Sequence, residues 1–371
     1  MKFTTPLILF LSFFPLLLIS QDQITTQTYQ QAENQLYFHT AQYVDRMNVR
    51  PSWESDAQFW YRNLIKDGIE YVHYDIKKKK KMTFDSQEEL NKILQEQPAA
   101  PTYDRRREIL SPNKSKVVFI RDWNLWMRDL DSGEEKQLTT DGIENYGYAT
   151  DNAGWRQSER PIVLWSPDSK KIATYQQDQR HVSDMHLVTT NVGAPKLKSW
   201  KYPLPEDEQI IQIERVIIEV DAGKLIRLDM PSDDRRGTLC DDISCSGVFD
   251  DNQWINEGRQ LVFVSSTRDH KIAQLRIAEA STGEVRDILK EEVNTQYESG
   301  QGTINWRYLE ESDEIIWYSE RDNWGHLYLY DAQNGQLKHQ ITKGEFVVTR
   351  LEHIDEKEGV LFFEANGREA D

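Results

Sequence analysis

A strand-turn-strand unit recurs along this chain, and it constrains the fold more than any other feature. "LSPNKSKVVFIRDWNLWMRDLDSGEEKQLTTDG" (110–142), "WSPDSKKIATYQQDQRHVSDMHLVTTNVGAPKL" (165–197), "WINEGRQLVFVSSTRDHKIAQLRIAEASTGEVRDIL" (254–289) and "LEESDEIIWYSERDNWGHLYLYDAQNGQLKHQIT" (309–342) share one order. A polar turn comes first, then an apolar strand such as "KVVFI" or "EIIWY". A second polar turn leads to an alternating strand such as "LWMRDL" or "LYLYDA". A glycine hairpin ("DSGE", "NVGA", "STGE", "QNGQ") closes the unit, supplying the positive φ that a tight turn requires. Antiparallel units of this length and strand content mark propeller blades, each of which buries its faces only by stacking on its neighbours.

Further units fit at 59–85, where "KKKKK" (Lys77–Lys81) occupies the hairpin, and less regularly at 210–231. The one helical pattern is "SQEELNKILQEQ" (86–97), with Ser86 as N-cap and acids in the first turn. The expected fold is an all-β propeller of four-stranded antiparallel blades, incomplete at about six to seven blades. The chain stops just after the strand "GVLFFEA". A propeller removes its sheet edges by closing its ring, so either a small ring closes here or the sequence is a fragment. In "WYSERDNWGHLYLYD" (317–331) the turn "SERDNWG" is expected to be scaffold, its polar groups bonding one another and Trp324 capping the hydrophobic layer.

Net charge is −17, which disfavours nucleic acid and anionic membrane surfaces as partners. Charged residues reach 29%, yet 11 Trp, 16 Tyr and 13 Phe supply a core, so the chain is not a disordered acidic one. At the N-terminus, Lys2 and "PLILFLSFFPLLLIS" precede a polar run. This reads as a signal peptide over 1–20, with an uncleaved anchor as the alternative. A lead-in segment follows (21–56), then the partial propeller (57–371). The mature chain is expected to be exported, periplasmic or extracellular, with no transmembrane span. Cys240 and Cys245 are a disulfide candidate; free thiols or half a metal site are the other readings. Structural zinc needs four ligands and no second pair has ligand spacing, so no metal and no cofactor are expected.

No catalytic constellation is legible. There is no G-x-S-x-G, no H-E-x-x-H, no phosphate loop and no dinucleotide-binding glycine triplet. The histidines are scattered through strand positions such as His186 and His326.

From Asn145 onward, "YGYATDNAGW", "PIVLWSPDSKKIATYQQDQRHVSDMHLVTT", "PKLKSWKYPLPED", "IERVII", "TLCDDISC" and "WYSERDNWGHLYLYD" resemble the N-terminal β-propeller of the dipeptidyl peptidase IV family, of the prolyl oligopeptidase clan. The likeness is dense over 110–371. It implies an eight-bladed propeller that caps and gates an α/β-hydrolase domain carrying Ser, Asp and His. None of that triad has a counterpart in this chain. The resemblance also implies a peptide substrate, and a homodimer for the full-length protein. The family binds the substrate amine with an acidic pair after "TDW". Here the neighbourhood reads "TDNAGWRQSERP" and the pair is absent, leaving Glu159 as a weak substrate contact beside Arg156 and Arg160. The expected function is therefore the non-catalytic gating part of an exported serine peptidase. The alternative is a stand-alone propeller that binds a peptide, glycan or protein.

Overall fold

The computed structural model describes residues 25–36, 49–55, 57–65, 68–94, 102–153, 158–190, 192–235, 249–298 and 303–367. The leader, Arg156, Cys240 and Cys245 lie outside the described residues. The chain divides into two units, Met1–Ala100 and Pro101–Asp371.

In the first unit, helix α1 (Thr26–Asn34) is started by a capping box between Thr25 and Thr28 and buries no residue. An antiparallel sheet follows in chain order: β1 (Ser52–Ser55), β2 (Gln58–Ile65), β3 (Gly68–Asp75) and β4 (Lys80–Phe84). Helix α2 (Gln87–Leu94) comes where the sequence expects it. Ser86 Oγ accepts from the Glu89 amide at 3.2 Å, and the helix buries Leu90 completely.

The second unit is built of antiparallel sheets. The strands β5 (Ile109–Leu110), β6 (Lys116–Arg121), β7 (Asn124–Asp129) and β8 (Glu135–Gln137) form one sheet in order. Next come β9 (Tyr146–Tyr148), β10 (Leu164–Trp165), β11 (Lys171–Asp178), β12 (Asp184–Thr189), β13 (Lys196–Lys201), β14 (Gln212–Glu219), β15 (Lys224–Arg227) and β16 (Asp233–Asp234). The sheet here runs β10-β11-β14-β15, with β9 on β11 and β16 on β14. Two regular sheets follow. One is β17 (Asn252–Ile255), β18 (Gln260–Ser266), β19 (Ile272–Glu279) and β20 (Val285–Glu292). The other is β21 (Arg307–Leu309), β22 (Glu314–Ser319), β23 (His326–Asp331) and β24 (Leu337–Gln340). A final pair is β25 (Val347–Asp355) with β26 (Val360–Asn366).

The repeat units 165–197 and 210–231 are not separate blades. β11 pairs with β14 over its whole length, and β12–β13 stand apart as a two-stranded hairpin. Burial explains the choice. The middle of β11 is closed on both faces and needs an equally apolar neighbour, which "QIERVIIE" provides. "DMHLVT" is too polar for that place and remains almost wholly exposed. Among the described residues the chain thus shows five sheets of four or more strands and two strand pairs, β12–β13 and β25–β26.

Apolar clusters join each sheet of the second unit to the next. Val118, Leu125 and Met127 meet Tyr148, Ile172 and Val216. On the opposite face of that sheet, Tyr175, Ile213 and Ile217 meet Phe263 and Leu261. Val264 and Leu275 meet Trp317 and Tyr328 in turn, and Tyr318 and Leu327 meet Val348 and Leu351. Every fully buried Leu, Ile or Val in these layers is worth about 1.5–3 kcal/mol of transfer free energy. This is the all-β, blade-on-blade packing that the repeats imply.

Candidate functional site

Polar groups gather at the C-terminal ends of β11, β18 and β22, where Gln177, Ser265 and Ser319 lie. Period two puts Arg215 of β14 in phase with the core residues Ile213 and Ile217, so its side chain enters the layer between two sheets. It is 2% exposed. Its Nε donates to Asp233 Oδ2 at 2.6 Å, one terminal nitrogen to Asn252 Oδ1 at 3.2 Å, and the other to the Val264 carbonyl at 3.0 Å. The guanidinium also lies over Phe263, 4.6 Å from the ring centre. Asp233 accepts from Ser265 Oγ at 2.7 Å, and Arg276 stands 3.6 Å from its other oxygen. A single fork thus ties β14 to β16, β17 and β18.

Beside it, buried Arg235 donates to Gln177 Oε1 at 2.9 Å and approaches Asp151 at 3.7 Å. Gln177 donates in turn to Asn152 Oδ1 at 2.7 Å, and Tyr175 donates its hydroxyl to the Thr150 carbonyl at 2.8 Å. Asp151 and Asn152 begin the "TDNAGWRQSERP" loop, whose other arm returns through an Asp151–Ser158 bridge. The first residues of the segment that the resemblance marks for substrate contact, Asp151 and Asn152, are therefore held by this network. Glu159 is not part of the buried network. It is 70% exposed and pairs with Arg107 at 2.5 Å.

On the other face of the same sheet, Arg227 donates to Glu214 (2.8 Å), Gln176 (2.6 Å) and the Tyr148 hydroxyl (2.9 Å). Tyr146 donates to Glu214 at 2.8 Å; burial first, then this bond, pushes its phenol up to about 12. Arg180 grips Asp178 through two bonds, and chiefly through them holds that carboxyl below the usual range. The next interface repeats the theme. Arg321 donates to Glu291 at 2.8 Å, to Ser319 Oγ at 2.9 Å and to the Tyr330 hydroxyl at 2.5 Å, and Ser319 donates to Glu291 at 2.5 Å. The "SERDNWG" turn is thus internally bonded, as its sequence suggests. Trp324 is 39% exposed, whereas Trp317 is fully buried within the layer.

Burial and the Glu214 bond favour the protonated, donating form of the Tyr146 phenol, and the bonds from Arg180 favour the ionised Asp178. Ser265 and Ser319 bond carboxylates, not imidazoles. A histidine does meet a serine at His186 and Ser199, 2.8 Å apart, but on the exposed β12–β13 hairpin. Among the described residues no carboxylate bonds the other nitrogen of that ring, and no group of His, Cys, Asp and Glu could hold a metal ion. Sequence reasoning passed over Arg215 although a signal was present. In "QIERVIIEV" an arginine occupies the apolar phase of a strand that is otherwise core.

A family model described as "Dipeptidyl peptidase IV (DPP IV) N-terminal region" matches residues 51–370. A curated protein named "Probable dipeptidyl-aminopeptidase B" from Neosartorya fischeri is 23% identical over 293 residues, which make 72% of this chain and 30% of that protein. Its namesake from Ajellomyces dermatitidis is 24% identical over 305 residues, 73% of this chain and 31% of its own length. The chain therefore spans just under a third of the curated relatives it matches. The crystal structure of Porphyromonas gingivalis dipeptidyl peptidase 4 superposes with a TM-score of 0.57 at 18% identity, over 87% of this chain and 41% of that one. This likeness is one of fold.

Proposed function

The chain belongs to the dipeptidyl peptidase IV N-terminal region family, and from that premise we propose that it is the substrate-gating part of an exported dipeptidyl peptidase-like serine peptidase. It takes part in proteolysis when joined to a hydrolase domain. The observation that carries this reading is the holding of Asp151 and Asn152, which begin the segment that the resemblance marks, by Arg235 and Gln177. A peptide with a free amine and polar backbone would find fixed carboxylates, amides and guanidinium groups there, which need no rearrangement on binding.

Two measurements test it. Purified 371-residue chain is expected to hydrolyse Xaa-Pro amides at background rate only. Reading the transcript past codon 371 is expected to show further blades and a G-x-S-x-G. Turnover by this chain alone, or a stop codon directly after Asp371, would sink the proposal.

Homodimer formation by the full-length protein, proposed with the same reading, is assigned to the β12–β13 hairpin. Val188 (54% exposed) and Leu197 (65% exposed) are direct cross-strand partners there, and an isolated two-stranded ribbon gains stability when a second surface covers it. Leu197→Asp is expected to shift sedimentation from dimer to monomer without changing the thermal midpoint of the sheets. An unchanged dimer would remove the hairpin from the interface.

A further inference from the structure

The first sheet carries a row of aromatic rings that the peptidase reading does not use. Trp53 of β1 is the direct partner of Phe59 on β2, Phe59 of Tyr74 on β3, and Tyr74 of Lys81 on β4. Direct partners across an antiparallel sheet project from the same face. The four side chains therefore form one line across all four strands. Ring centres are 4.9 Å apart for Trp53 and Phe59, and 5.6 Å apart for Phe59 and Tyr74. Tyr61, two residues along from Phe59, stacks beside it at 6.1 Å.

The row runs beside the hairpin that joins β3 to β4. All of Lys77–Lys81 are exposed. Asp75 shapes that turn by accepting from the Lys78 amide at 2.9 Å, and its carboxylate lies 3.5 Å from the Lys78 ammonium. Among the described residues, no carboxylate pairs with the other four lysines. The remaining acids of the sheet are engaged elsewhere: Glu70 accepts from Asn63 at 3.0 Å, and Glu54 meets His73 on the opposite face at 3.3 Å.

Cross-strand aromatic pairs stabilise sheets in their own right, which accounts for the half-buried Phe59 and Tyr74. It does not account for Trp53, which is 59% exposed at the end of the row, nor for four lysines without a carboxylate partner among the described residues, in a chain of net charge −17. We propose that this face docks an extended acidic polysaccharide. Its sugar rings would lie along Trp53, Phe59 and Tyr74, and its sulfate or carboxylate groups would meet the Lys77–Lys81 hairpin. The apolar faces of sugar rings pack on aromatic rings as other flat apolar groups do. The charge balance favours a glycan over a nucleic acid: a duplex carries a charge about every 1.7 Å of its axis, and beyond one five-lysine turn it would meet an acidic protein.

The test uses the whole chain on immobilised heparin, with uncharged dextran as control, at several salt concentrations. Heparin binding without dextran binding is expected. Trp53→Ala should weaken it about tenfold, as removal of an aromatic stacking platform does, with its salt dependence intact because the ring bears no charge. Trp53→Phe should keep most of the binding, which separates loss of the ring from misfolding. The triple change Lys77→Gln, Lys79→Gln, Lys81→Gln should weaken binding and flatten its salt dependence. The proposal falls if heparin is not bound, if Trp53→Ala binds as the native chain does, or if double-stranded DNA or phosphatidylserine vesicles bind equally well.

Discussion

Arg215→Met is expected to lower the stability of the stacked sheets by about 3–5 kcal/mol, the range for breaking one side of a buried ion pair. The change leaves Asp233 buried with Ser265 Oγ and the more distant Arg276, and it strips a donor from both Asn252 and the Val264 carbonyl. Arg215→Lys should recover little, because a single ammonium cannot reach acceptors spread over three strands as a planar fork does. Adding Asp233→Asn to Arg215→Met should cost far less than the sum of the two single changes, since it removes the stranded charge. The measurement is the shift of the urea midpoint at constant slope. A shift worth less than about 1 kcal/mol would mean that this pair behaves as a surface one, and the account of the site would fail with it.

Gly335→Ala is expected to cost nearly as much, about 3–4 kcal/mol, from two sources. Gly335 sits at φ +68, where a side chain costs about 1–2 kcal/mol. A Cβ there would also overlap the Ile288 carbonyl oxygen on β20, the last strand of the preceding sheet, and that crowding adds a few kcal/mol. Gly283 meets the Arg227 carbonyl in the same way and should respond alike. Gly133 provides the comparison. It occupies the same place in its own hairpin at φ +74, but a Cβ there would face open space. Gly133→Ala should therefore cost only the backbone part, about 1–2 kcal/mol. Thermal or urea unfolding of the three variants checks the order. Equal losses at Gly133 and Gly335 would show that the hairpins do not press on the neighbouring sheet.

The same glycines show how far local sequence reaches. "DSGE", "STGE" and "QNGQ" announce tight turns because only a few residue types tolerate the required backbone, and the structure places each at positive φ. Strand phase was equally legible: "KVVFI", "KIATY", "QLVFV" and "EIIWY" are buried second strands in their sheets. Strand partnership inside the third sheet was not. "MHLVTT" alternates like a third strand and follows β11 in the chain, yet β14 takes the place beside β11. The site was hidden for the same reason. Arg215, Asp233, Asn252 and Val264 are spread along the chain and have no common motif, while Glu159, marked by its neighbourhood, pairs with Arg107 at the surface.

By itself the sequence determined the repeated strands, their turns and the family to which they belong, because period, turn chemistry and apolar phase act between residues close in the chain. Only the tertiary structure decided which strand lies beside which, which hairpin glycine touches a neighbouring sheet, and which charges share a buried cluster. Those outcomes depend on competition for apolar cover and on the desolvation of groups far apart in sequence, and neither exists until the sheets have stacked.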